Sequence, residues 1–183
     1  AKYELTPTYY QFDQGDKDNR VIRFFMGMSI MYSPGFLVGH QIALHSDYPA
    51  DGFSFPYQRA LMYWGLLLQV IGLIFTQKIL RHFFSDKITA ITLVVLFTGT
   101  ILYFFSALGN DAPHVYLFNV TAIIGWLVIK WHQTPKLKYA VLLGFFTGLL
   151  VISRPSEVTI FFLILLWGVT GRKSFAAKMK MVW

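Results

Sequence analysis

The stretch GLLVISRPSEVTIFFLILLWG, Gly148 to Gly168, is apolar except at its centre. There Arg154, Pro155, Ser156 and Glu157 follow one another. Arginine carries a planar fork of N–H donors that matches phosphate oxygens. Its plainer roles are a snorkelling anchor or a partner for Glu157. Glu157 falls in the first turn after Pro155, where a negative charge suits a helix dipole. Proline is at home at the start of a helix, so the spacing predicts two helices joined by a tight turn.

Two more sites carry chemistry. GNDAPHVYLF places Asp111 and His114 three apart at the start of an apolar run. Asp111 is first a helix cap. Together the pair can orient a sugar hydroxyl, bind a divalent ion or shuttle a proton, although two ligands do not make a metal site. HSDYPADGFSFPYQ sets Asp51 among Phe53, Phe55 and Tyr57, stiffened by Pro49 and Pro56. A carboxylate among aromatic faces suits a sugar cleft, and equally a membrane interface. FDQGDKDNR lacks the twelve-residue calcium pattern and its closing Glu, and reads as a solvated turn. Walker, dinucleotide, serine-elbow and HExxH motifs are absent, so no nucleotide cofactor is indicated. Without cysteine there is no disulfide or thiolate chemistry.

These residues need elements to hold them. Five apolar stretches read as membrane helices: Tyr57 to Leu80, Lys87 to Phe105, His114 to Trp131, Leu137 to Ser153 and Pro155 to Thr170. Each is near the ~20 residues that cross ~30 Å of hydrocarbon, the last two at the short end. Arg23 to Leu44 is apolar but holds Pro34-Gly35 near its middle. That dipeptide predicts two short helices lying on the membrane surface, with a kinked spanning helix as the alternative. The expected fold is an all-α integral membrane protein: an outer-face segment over 1–56, a helix bundle over 57–171 and a basic cytoplasmic tail over 172–183.

Composition agrees. Of 183 residues, 55% are hydrophobic and 14% charged, against about 25% charged in a soluble domain. Mean hydropathy is +0.51. The net charge of +7 is dispersed between apolar runs, which excludes a nucleic-acid stripe. The opening AKYELTPTYYQFDQGDKDNR is polar and mature-looking, the expectation for a fragment whose natural start lies upstream. KILRHFFSDK, KWHQTPKLK and GRKSFAAKMK concentrate Lys and Arg in alternate loops. The positive-inside rule puts these in the cytoplasm. The N-terminal segment, SALGNDAPH and SRPSE then face outward.

The order of these pieces is informative. RFFMGMSIMYSPGFLVGHQIA is followed by DGFSFPYQ, a helix ending in LRHFFSDK, then NDAPHVYLF and GLLVISRPSEV. This resembles polytopic membrane glycosyltransferases of the GT-C superfamily, closest to family 39-like proteins of Bacteroidetes. They are similar to protein O-mannosyltransferases and lipid A aminoarabinose transferases. The similarity runs from about Val21 to Val169. It implies transfer of a sugar from a polyprenyl-phosphate carrier to a glycan, lipid or protein acceptor at the outer leaflet. It also implies that the first membrane helix and the catalytic carboxylate lie before Ala1. By position, Arg154 and Arg23 match basic residues near the carrier phosphate. Asp111 and His114 match the polar entrance of a central helix; Asp51 and Glu157 join them as substrate candidates by residue type alone. Some members use a divalent ion and others none.

Two other classes compete. A transporter or flippase subunit needs ionisable or polar residues at mid-membrane, where Gln69 and Asn119 are the strongest exceptions to apolar helix centres. A non-catalytic subunit of a membrane complex is the third.

Overall fold

The computed structural model describes residues 12–14, 20–22, 25–107, 113–172, 174–176 and 178. Apart from one short ribbon, the described elements are helical. In that ribbon, strand β1 (Phe12–Gln14) pairs antiparallel with β2 (Arg20–Ile22), Asp13 opposite Val21. The sequence reads this segment only as a turn.

The two short surface helices expected before residue 45 are one helix, α1 (Met26–Leu44), continuous through Pro34. The reason is local. Pro34 has no N–H for the Ile30 carbonyl one turn back, and the Ser33 hydroxyl donates to that carbonyl instead, at 2.8 Å. The buried face of α1 is Gly27, Met31, Gly35, Gly39 and Ala43, a strict four-residue spacing. Small residues at that spacing let helix backbones approach closely in lipid.

The helix they meet is α2 (Phe55–Phe83). A Cβ on Gly39 would lie 2.8 Å from the Tyr57 Cα, and one on Gly35 would lie 2.7 Å from the Trp64 Cβ. The Trp64 indole N–H donates to the Met31 carbonyl at 2.9 Å. Residue numbers fall on α1 as they rise on α2, so the two helices form an antiparallel hairpin. α1 therefore lies along α2.

Next come α3 (Asp86–Thr98) and α4 (Ile101–Ala107), then α5 (His114–Gln133) and α6 (Leu137–Ser153). After a 3-10 turn (Pro155–Thr159) comes α7 (Ile160–Leu166). The stretch Lys87 to Phe105, expected as one helix, breaks at Gly99-Thr100. The Thr100 hydroxyl accepts from the Leu102 N–H at 3.2 Å and donates to the Leu96 carbonyl at 2.6 Å, serving both helix ends.

α5 is the buried centre, with eleven of its residues in the core. It runs parallel to α2: Gly72 lies against Phe118 and Asn119, and Ile79 reaches Gly125. The stagger of about 47 residues (Gly72 to Asn119) sets His114 level with roughly residue 67 of α2. The first dozen residues of α2, with α1 beside them, therefore rise about 18 Å beyond the start of α5. Along the α2–α5 seam, Gln69, Tyr116 and Asn119 are buried with side-chain atoms that find no hydrogen-bond partner among the described residues.

Among the described residues two helices, α2 and α5, are long and apolar enough to cross a membrane, not the five expected. The second stretch is interrupted, α6 is short at 17 residues, and the fifth begins with a 3-10 turn. Yet apolar side chains cover the outside, among them Leu37, Val70, Val94, Val141 and Phe162. So much exposed hydrocarbon needs lipid or protein against it. In the segment expected as a basic tail, the Lys178 ammonium donates to the Trp167 carbonyl and to His132 Nε2. His132 Nδ1–H donates to the Val128 carbonyl at 2.8 Å, which leaves Nε2 free to accept. Desolvation holds Lys178 below the ordinary lysine value.

Candidate functional site

The Arg154 turn is built by the backbone. Arg154 is extended, at φ −151° and ψ 106°, and closes α6 while opening the 3-10 turn. Its N–H bonds back to Leu150, and its carbonyl accepts from the Glu157 N–H at 2.9 Å. The expected two helices with a tight turn are present, although the second opens as 3-10.

This turn is clasped to the start of α1. A Cβ on Gly27 would come within 2.5 Å of the Ser153 nitrogen and 2.7 Å of its Cα. Only glycine fits so close a crossing. The Ser153 hydroxyl is spent locally, donating to the Leu149 carbonyl. Arg154 Nη1 stands 3.9 Å from Glu157 Oε1, an ion-pair distance too long for a hydrogen bond. Half-exposed, the guanidinium makes no hydrogen bond among the described residues and keeps its donors for another partner.

His114 opens α5 at the end of the bundle where α6 finishes, the end that also carries Arg154 and Glu157. Its ring stacks on Phe105, with centroids 4.3 Å apart. Asp111 and Arg23 lie outside the described residues.

Asp51 belongs to another place. It sits in the loop between α1 and α2, at the far end of α1 from Gly27. Its Oδ1 accepts the Phe53 N–H at 2.9 Å and the Ser54 N–H at 2.8 Å. Those two N–H groups hold the carboxyl below the ordinary aspartate value. An anion so satisfied is a weak base, and its evident work is to fold the loop that starts α2. A carboxyl depressed in the fold adds stability above its unfolded value and loses it as pH falls through the folded one. The Phe53 and Ser54 amide resonances should therefore move together with a midpoint below pH 3.8, the ordinary value. In Asp51→Ala that transition should vanish and the loop should become more open to protease. A midpoint above pH 4 would contradict the assignment.

The outer-face residues thus stand at two levels. Asp51, His45 and Arg59 are at the hairpin tip. His114, Arg154 and Glu157 lie lower, at the level where α5 begins and α6 ends. Sequence reasoning missed one pairing, His40 with Tyr57, whose Nδ1 and hydroxyl are hydrogen-bonded at 2.5 Å. Tyr57 is buried and packs on Phe36. Seventeen residues separate the two, and only the glycine spacing of α1, which fixes the hairpin, brings them together. Among the described residues no three His, Asp or Glu side chains gather as a metal site. Compared with protein-family models, curated proteins and solved structures, the chain matches none.

Proposed function

We propose that this chain is a GT-C type membrane glycosyltransferase, or a part of one. It takes a sugar from a polyprenyl-phosphate carrier at the outer face of the bacterial inner membrane. The observation that supports this best is the Gly27–Ser153 clasp. It fixes Arg154, whose guanidinium makes no hydrogen bond among the described residues, beside Gly27, which follows Arg23 by four residues in the sequence. In such a transfer an acceptor hydroxyl attacks the anomeric carbon and the carrier phosphate leaves with the bonding electrons. Arg154, and Arg23 with it, stabilise the growing charge on that phosphate. The hydroxyl proton passes to a carboxylate base, as the family resemblance implies. Asp111 and His114 line the entrance for the acceptor. If a divalent ion takes part, it binds with the carrier phosphate.

The reading also needs the short helices to cross. Between Lys138 and Arg154, α6 is free of charge for fifteen residues, about 22 Å of helix. A thinned bilayer and snorkelling ends accommodate that length. Single cysteines at Asp111 and Lys136 should then label from opposite sides of intact vesicles. Labelling from one side would remove the five-span topology and the periplasmic placement of the N-terminal segment.

The runner-up, a transporter or flippase subunit, draws on one observation. Gln69, Tyr116 and Asn119 are buried together in the α2–α5 seam with unpaired polar atoms. Transport in proteoliposomes that Gln69→Leu abolishes, with no prenyl phosphate released from any sugar carrier, would favour it.

A further inference from the structure

Where α1, α2 and α5 meet, three polar side chains are enclosed. Gln69 of α2 is 2% exposed, and Tyr116 and Asn119 of α5 are 0% and 5% exposed. Both amide atoms of Gln69, the Tyr116 hydroxyl and Asn119 Oδ1 find no hydrogen-bond partner among the described residues. The helices set these groups side by side. Gly72 of α2 lies on Asn119, so close that a Cβ there would fall 3.2 Å from the Asn119 Cα. Gln69 and Tyr116 each stand three residues earlier, on the same faces and about one turn back along the two parallel helices. Tyr32 of α1 closes the third side, its ring edge-on to Tyr116 with centroids 4.4 Å apart.

A buried amide or hydroxyl without a partner is strongly unfavourable, and native proteins satisfy such groups with ordered water. The chemistry of the unpaired atoms selects water over other occupants. Gln69 Nε2 and the Tyr116 hydroxyl have hydrogens to give, whereas Gln69 Oε1 and Asn119 Oδ1 need them. A metal cation serves acceptors alone, and an anion serves donors alone. Water donates two hydrogens and accepts two. The three side chains share one turn of the seam without bonding one another, so a bridging molecule is needed to satisfy them. The supply is close. His114 opens α5 two residues before Tyr116, about 3 Å of rise. Gly35 lies on Trp64 and the two helices run antiparallel, which brings Gly27 level with Gly72. Gly27 rests on Ser153, so the enclosed groups lie within about one turn of the half-exposed Arg154 side chain.

We propose that the α1–α2–α5 junction is a water-binding site, in which ordered water joins Gln69 to Tyr116 and Asn119. The water accepts from Gln69 Nε2 and the Tyr116 hydroxyl and donates to Gln69 Oε1 and Asn119 Oδ1. At this level α2 is held to α5 through water, not through a direct side-chain bond. The site rests on neither the transferase nor the transporter reading.

Hydroxyl-radical footprinting of the intact chain in a non-ionic detergent tests this. A short X-ray pulse makes the radicals from water, so a buried side chain is oxidised where water is bound beside it. Tyr57 is the control, because it is 1% exposed and its hydroxyl is already bonded to His40. Tyr116 should be oxidised well above Tyr57. In the double variant Gln69→Leu with Asn119→Leu, oxidation of Tyr116 should fall to the Tyr57 level. Each substitution alone should lower the thermal unfolding midpoint by about 2–4 °C or more, and the pair by less than the two effects added. Equal silence of Tyr116 and Tyr57 would overturn the proposal. So would oxidation of Tyr116 that the double variant leaves unchanged, or a midpoint that rises in both single variants, the result for a dry seam relieved of unpaired polar groups. The comparison of Tyr116 with Tyr57 uses the unaltered protein, so it decides the matter even where a variant fails to fold.

Discussion

Gly27→Leu is expected to lower the thermal unfolding midpoint of the protein in detergent by about 5 °C or more. Overpacking a close helix crossing costs about 1–3 kcal/mol, and in a chain of this size each kcal/mol moves the midpoint by roughly 2–4 °C. Here the obstacle is the Ser153 backbone, within 2.5–2.7 Å of the new Cβ, and backbone cannot swing aside as a side chain does. The Leu side chain must part α1 from the end of α6. Gly144→Ala and Gly148→Ala are the controls, because each glycine faces open space. They should hold or slightly raise the midpoint, since alanine favours helix by up to ~1 kcal/mol. The clasp also positions the Arg154 turn, so Gly27→Leu should weaken lipid-phosphate binding with Arg154 still present. Unfolding like the unaltered protein would mean that α1 does not rest on Ser153.

The second large effect concerns Arg154. Arg154→Ala should weaken binding of a prenyl phosphate at this turn by about ten- to a hundred-fold, the range for losing a charged hydrogen-bond donor at ~1.5–3 kcal/mol. Its only ion-pair partner among the described residues is Glu157 at 3.9 Å, with both side chains partly exposed. Such a pair contributes little to stability, so the unfolding midpoint should barely change. Arg154→Lys should recover part of the binding, because it keeps the charge but loses the planar fork. Glu157→Gln should leave binding unchanged or tighten it, by removing a competing anion. If Arg154→Ala unfolded the protein instead, the residue would be a structural anchor.

Some of this was legible in the sequence for physical reasons. Pro155 after Arg154, with Glu157 two residues later, announces a helix start whatever surrounds it, and the turn is there. Leu137–Ser153 was bounded correctly because a lysine cluster and that turn flank a continuous apolar run. Pro34-Gly35 misled, since proline's effect depends on whether another donor reaches the orphaned carbonyl, and Ser33 does. Gly99 was missed because glycine inside an apolar run reads as helix when its neighbour Thr100 is not recognised as a cap for both ends. The four-residue stripe from Gly27 to Ala43 emerges only with the helix that carries it. Nothing local says that Gly27 will meet Ser153, 126 residues on.

The same distinction applies to the candidate site. Residue type nominated Asp51 and Arg154 alike. Position separates them: Asp51 engages its own loop through Oδ1, whereas the Arg154 guanidinium makes no hydrogen bond among the described residues. A single outer face, read from topology, becomes two levels once the stagger of α2 against α5 is known.

The most direct test of the central proposal is release of the carrier. The intact protein in proteoliposomes would be given a panel of polyprenyl-phosphate-linked sugars with a lipid or glycan acceptor, and free polyprenyl phosphate would be measured. The proposal predicts release with at least one sugar, reduced at least tenfold in Arg154→Ala at an unchanged unfolding midpoint. Release that is equal in Arg154→Ala, or no release from a folded full-length protein that still binds the carrier, would contradict it.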